Sequence, residues 1–93
     1  MRFEWDANKA SANIAKHGVS FEEAMEVFYD PNALERYDEL HSITEIRFSV
    51  IGLASRRLLN VAYAERANDT VRLISARKAT TAEREIYERR MVR

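Results

Sequence analysis

The chain has 93 residues, 46% hydrophobic and 32% charged, which is the balance of one globular domain spanning 1–93 rather than of a disordered segment. A chain this long buries roughly two thirds of its unfolded surface and folds without staples. Its 15 basic and 15 acidic residues cancel, so polyanion binding through overall charge is excluded and any anion site must come from local placement. The absence of cysteine excludes disulfides and thiolate metal sites; zinc would depend on His17, His41 and carboxylates, and no metal or other cofactor is expected. "MRFEWDANKA" has no apolar leader and no later run is long enough to cross a bilayer, so a cytoplasmic protein without membrane contact is expected.

In chain order, "RFEW" (Arg2 to Trp5) alternates as a short strand does, and Asp6 then caps a helix that runs to His17 and ends at Gly18. Ser20 and Glu23 have the spacing of a capping box for a second helix, whose stripe of Phe21, Ala24, Met25 and Phe28 ends at Asp30-Pro31. These two helices are expected to form a hairpin. From Ala33 the period becomes two, giving strands at Ala33 to Tyr37, Glu45 to Leu53, Leu58 to Arg66 and Val71 to Lys78. Leu73 and Ile74 should then bury into opposite faces of the sheet. Thr80 with Glu83 opens a last helix that carries Ile86 and Tyr87 into the basic end "RRMVR". The fold class is α+β: a short N-terminal strand, a helical hairpin, an antiparallel β-meander and a C-terminal helix. Both faces of the later strands carry apolar residues, so each face should be covered by helices or by a partner.

Among ready-made chemical signatures, a Gly-rich phosphate loop, HExxH, GxSxG and a cysteine nucleophile are all missing. RNA cleavage needs none of them: a base activates the 2′-hydroxyl, cations stabilise the phosphorane and an acid protonates the leaving 5′-oxygen. If residues 54 to 57 close a hairpin, partners sum to about 111, which sets Glu45 opposite Arg66 and Arg47 beside Ala64 and Glu65. In the next hairpin the sum is about 137, which sets Arg77 near Asn60. Two charged clusters therefore lie at opposite ends of the meander, roughly 20 Å apart at ~3.3 Å per residue.

The first, Glu45, Arg47, Glu65 and Arg66, mixes signs and reads as a cross-strand ion-pair network. The second, Arg56, Arg57, Arg77 and Lys78, has little acid beside it and reads either as a phosphate site or as a solvated rim. His17 precedes a helix-ending glycine, which suits a structural cap as well as a base; His41 sits in "DELHSITE", an exposed loop. Tyr87, on the same helix face as Glu83, either reaches a phosphate or packs on the sheet.

The ordered set "FEWD", "NIAKHGVSFEEA", "VFYDP", "HS", "E-x-R-F", "IGL", "ER", "RLISARKAT" and then "ER" with Tyr87 resembles the BrnT family of toxins from bacterial type II toxin–antitoxin systems, from Phe3 to Tyr87. The resemblance implies a RelE-like fold and a small ribonuclease that inhibits translation. It also implies a BrnA-type antitoxin as partner, a ribbon-helix-helix-like protein that carries the DNA contact and forms a hetero-oligomer with the toxin. Carried onto this chain, it implies phosphate-binding roles for Arg77 and Lys78, with Arg66 and Glu65 as further candidates. Ala64 stands where such toxins commonly have threonine, and Ala67-Asn68-Asp69 replaces a tighter glycine-containing turn.

Two functions are carried forward. In the first, a metal-independent endoribonuclease holds the scissile phosphate with Arg77 and Lys78, Arg66 stabilises added charge, and Glu65 or His17 is the base. Arg56, Arg57, Arg47 and Tyr87 contact the RNA. In the second, the chain is an inactive module that tethers a DNA-binding antitoxin and supports repression of its promoter.

Overall fold

The computed structural model describes residues 1–91; Val92 and Arg93, the end of the basic tail, lie outside the described residues. In chain order the elements are β1 (Arg2–Glu4), α1 (Ala7–His17), α2 (Phe21–Met25), a 3-10 turn at Glu26–Tyr29, β2 (Leu34–Tyr37), β3 (Arg47–Leu53), β4 (Leu58–Arg66), β5 (Thr70–Lys78) and α3 (Thr81–Met91). They build one five-stranded sheet in the order β1-β5-β4-β3-β2. The α+β class and the element order expected from the sequence are those observed. The sequence pattern leaves β1 unplaced; it runs parallel to β5, with Phe3 opposite Val71.

Local signals account for the helix ends. Asp6 accepts from the Asn8 and Lys9 amides at 2.7 and 3.2 Å, and Gly18, at φ 69, returns its N–H to Ile14 O. A left-handed residue there suits glycine because a Cβ would meet its own backbone. Ser20 accepts from Glu23 N at 3.0 Å, but the box is half made, because the Glu23 carboxylate turns to Arg57 instead. At Thr80 the box is complete: Glu83 N donates to Thr80 Oγ1 at 3.1 Å and Thr80 N donates to Glu83 Oε1 at 2.9 Å.

The helices α1 and α2 follow each other on one face of the sheet. There Val19, Phe21, Ala24 and Val27 are fully buried against Leu59, Val61, Tyr63, Leu73 and Ala76. Burial of the valine, leucine and phenylalanine side chains among them contributes about 1.5–3 kcal/mol each. The same core is closed by edge-on aromatic pairs, Trp5 with Phe21 at 5.8 Å and Phe3 with Phe28 at 5.2 Å between ring centroids. Gly52 lets β3 pass beneath the 3-10 turn, since a Cβ there would lie 2.6 Å from Val27 Cγ1.

The other face is covered at one end only. Tyr87 of α3 packs with Ile51 and Leu58, while most of that face is left uncovered by helices, so within this chain helices cover one face fully and the other at one end.

Register follows the expected sums on β3 and β4, where Arg47 faces Ala64 and Leu53 faces Leu58. On β5 it follows them only as far as Ala62 opposite Ser75, after which Tyr63 faces Leu73. Ile74 is therefore an extra residue, a bulge that returns Leu73 and Val71 to the core face and Arg72 to the open one. Leu73 and Ile74 do not bury into opposite faces as alternation implied: Leu73 is in the core, and half-buried Ile74 lies on the α1 flank beside Lys9 and Asn13.

Candidate active site on the open sheet face

Strand pairing places Arg36, Ser49, Ala62 and Ser75 in one row across β2 to β5, and Ile51, Asn60 and Arg77 in the row beside it. Their side chains share the face opposite α1 and α2, because Val50, Leu59, Val61 and Ala76 alternate with them into the core. Serine and alanine make a low floor, and longer side chains stand around it. The result is a cleft of about 380 Å³ lined by Arg36, Asp38, His41, Ser49, Asn60, Ser75 and Arg77, with Tyr37 and Ala62.

At one wall, Arg77 Nη1 donates to Glu83 Oε1 at 2.8 Å and Nη2 to Oε2 at 2.9 Å. Asn60 Nδ2, from the facing strand, donates to the same Oε2 at 2.7 Å. The Arg77 hydrogen bonds, opposed by burial and assisted by the Thr80 amide and Asn60, hold the Glu83 carboxyl down at about 2. At the opposite wall, His41 Nδ1 lies 3.0 Å from Asp38 Oδ2. A carboxylate oxygen accepts, so this geometry suits the tautomer with the proton on Nδ1 and the lone pair on Nε2. Ser42 secures this loop by donating to Asp38 O and accepting from Arg47 N, which explains the "HS" pair.

The nine residues singled out from the sequence do not form one site. Arg77 alone among them lines the cleft. Lys78 is exposed, and alternation points it to the helix side, opposite Leu59; its carbonyl accepts from Arg77 Nη1 at 3.1 Å. Arg57 is a strut: Nε and Nη2 donate to the Glu23 carboxylate at 2.9 and 2.8 Å, and Nη2 also donates to Gly18 O. Arg56 is exposed and shares with Arg57 a separate cavity outside the cleft. The acid-poor cluster read from the sequence is thus corrected, since two of its four cations carry carboxylates supplied by Glu23 and Glu83.

The other candidates are dispersed. Arg66 and Arg47 share Glu45 at 3.3 and 3.5 Å, the ion-pair network anticipated from the register, and at 3.5 Å the Arg47 Nε contact is no hydrogen bond. Six residues of β4 separate Arg66 from the Asn60 row, roughly 20 Å. Glu65 faces the helix side with Phe28, Tyr63 and Glu35, where burial first, and the Glu65 charge second, push the Glu35 carboxyl up. His17 is on that side as well, beside Lys16 and Ile74. Glu65 and His17 therefore lie across the sheet from Arg77. Tyr87 is 4% exposed and donates its hydroxyl to Asp30, and burial followed by that carboxylate pushes it up to about 12. It packs and does not reach the cleft.

Arg36, Asp38, Ser49 and Ser75 line the cleft without having been candidates in the sequence, Asn60 enters the sequence reading only as the neighbour of Arg77, and His41 only as an exposed loop residue. Little in the sequence signals them: the observed pairing of Leu34 with Ile51 sets Arg36 opposite Ser49 in the row of Ala62 and Ser75, but the long loop between β2 and β3 is not a tight hairpin turn from which that register can be read.

Comparisons with known proteins agree with this architecture. The family described as "Ribonuclease toxin, BrnT, of type II toxin-antitoxin system" matches residues 5–83. The crystal structure of the Brucella abortus ribonuclease toxin BrnT superposes with a TM-score of 0.67 and 25% sequence identity, over 87% of this chain and 99% of that one. No curated protein matches the chain. With most of its length inside the family and its fold shared with a solved member, this chain belongs to the BrnT family of ribonuclease toxins of type II toxin–antitoxin systems.

Proposed function

We propose that the protein is an endoribonuclease whose chemistry takes place on the open sheet face. The observation that carries this reading is the convergence of Arg77, Arg36 and the Asp38-oriented His41 around one cleft with a small-residue floor. His41 Nε2 takes the proton of the 2′-hydroxyl, and the 2′-oxygen attacks the adjacent phosphorus. Arg77 and Arg36 hold the non-bridging oxygens as negative charge builds. The bond to the 5′-oxygen breaks, that oxygen takes a proton from water, and a 2′,3′-cyclic phosphate remains. No metal is required by these steps.

Arg47 and Arg66, farther along the same face, contact flanking phosphates, whereas Arg56 and Lys78 lie outside the cleft. In the cell, such cleavage arrests translation in the cytoplasm. Neutralisation comes from a BrnA-type antitoxin that binds this protein and carries the DNA contact.

The test is incubation of purified protein with a defined RNA in excess EDTA, followed by analysis of fragment ends. Products bearing 2′,3′-cyclic phosphate and 5′-hydroxyl ends are expected. RNA left intact across a range of salt, by a protein that still binds the neighbouring gene product, would favour the inactive tether instead.

A further inference from the structure

A guanidinium has five N–H hydrogens, and the contacts of Arg77 divide them. One hydrogen each on Nη1 and Nη2 points to the two oxygens of Glu83, and Nη1 also donates to the Lys78 carbonyl. Among the described residues, what remains without a partner is Nε–H together with the outer hydrogen of Nη2, parallel donors on one edge of a planar group. That edge matches two oxygens of a phosphate.

Glu83 is itself fixed. Its Oε1 accepts from Arg77 and from the Thr80 amide, and its Oε2 accepts from Arg77 and Asn60, so four donors from β4, β5 and the start of α3 converge on one carboxylate. A surface ion pair is usually a single mobile contact of little consequence. This one is a socket: Glu83 is 18% exposed, and Arg77 is 41% exposed.

We propose that Glu83, clamped by Asn60, is a positioning residue that sets the Arg77 guanidinium with its free Nε/Nη2 edge toward the scissile phosphate. This rests on the reading of Arg77 as the phosphate-binding arginine. Orientation matters most when charge develops on the phosphorane, so its loss falls on kcat, whereas the cation itself remains for ground-state binding. The opposite role, a carboxylate that neutralises Arg77 until it is displaced, predicts the opposite sign.

The experiment measures cleavage of a defined RNA by the purified parent, Glu83→Gln, Arg77→Ala and the double variant, with and without millimolar guanidinium chloride. Folding of each variant is checked by circular dichroism. Glu83→Gln is expected to lower kcat about 10-fold or more while KM stays within about 3-fold. Guanidinium is expected to restore part of the Arg77→Ala activity only where Glu83 is present to seat it. A Glu83→Gln protein with unchanged or higher kcat, or equal guanidinium rescue in the double variant, overturns the positioning role and leaves Arg77 in place. Full activity of Arg77→Ala removes both readings. Should Glu83→Gln fail to fold, Asn60→Ala keeps the ion pair but takes one of the two donors from Oε2; a kcat loss at constant KM supports the socket and an unchanged kcat overturns it.

Discussion

Asn13 and Ala76, 63 positions apart, are joined as strand neighbours would be: Ala76 N donates to Asn13 Oδ1 at 3.0 Å, and Asn13 Nδ2 donates to Ala76 O at 2.8 Å. Beyond Arg72, β5 has no β1 residue beside it, so the asparagine amide of α1 takes the place of a strand. It also donates to Val19 O at 2.8 Å, which fixes the loop between the two helices.

This side chain is 6% exposed, and its loss would strand buried main-chain groups. Asn13→Ala is expected to lower unfolding free energy by about 3 kcal/mol, the cost of several buried groups left without partners. Urea denaturation monitored by tryptophan fluorescence measures it. A change below about 0.5 kcal/mol would mean that Asn13 does not hold α1 to the sheet.

His41 is expected to be the residue whose removal separates activity from stability. Its ring is 65% exposed, so His41→Ala should leave the melting temperature unchanged while cleavage falls about 100-fold, the usual reach of one general base. His17→Ala, altering the far side of the sheet, should cleave at the parental rate. The reverse outcome, with His17→Ala inactive and His41→Ala unaffected, would move the base to the helix-covered face.

Glu83 gives stability a signature in acid. Its carboxyl is lowered from 4.5 to about 2, chiefly by Arg77, so its contribution is fully present above pH 4.5 and is lost as pH falls toward 2. The shift is equivalent to about 3 kcal/mol at 1.36 kcal/mol per unit, and the exposure of Arg77 screens this to about 2 kcal/mol. Between pH 4.5 and 2 the parent should lose melting temperature more steeply than Glu83→Gln. Glu23, lowered chiefly by Arg57, supplies acid sensitivity common to both proteins. Parallel profiles would show that Glu83 is not selectively held ionised by the fold.

Much of this arrangement was legible in the chain because local rules governed it. Asp6, Gly18, Ser20 and Thr80 mark helix ends by their own chemistry, and the hairpin closing at 54–57 fixed the opposition of Arg47 and Ala64. What was not legible depends on single insertions or on distant partners. Ile74 is one extra residue in an alternating run, and nothing in "RLISARK" distinguishes a bulge from a regular strand. Glu23 and Glu83 both read as capping residues. That they also bind Arg57 and Arg77 depends on where the helices lie relative to the sheet, which periodicity does not encode. The opening of one sheet face follows from α3 reaching only the Ile51 end. With that face open, the loop histidine, rather than His17 or the strand glutamate Glu65, lines the same cleft as Arg77.

The central claim is that Arg77 on the open sheet face holds the phosphate that is cut. It is tested most directly by the single-turnover cleavage rate of purified Arg77→Ala on a defined RNA, with folding verified by circular dichroism. Loss of one preorganised cation from a phosphoryl transition state is expected to slow the reaction about 100-fold or more, with the fragment pattern of any residual cleavage unchanged. A folded Arg77→Ala protein that cleaves as fast as the parent would place the reaction elsewhere on the molecule.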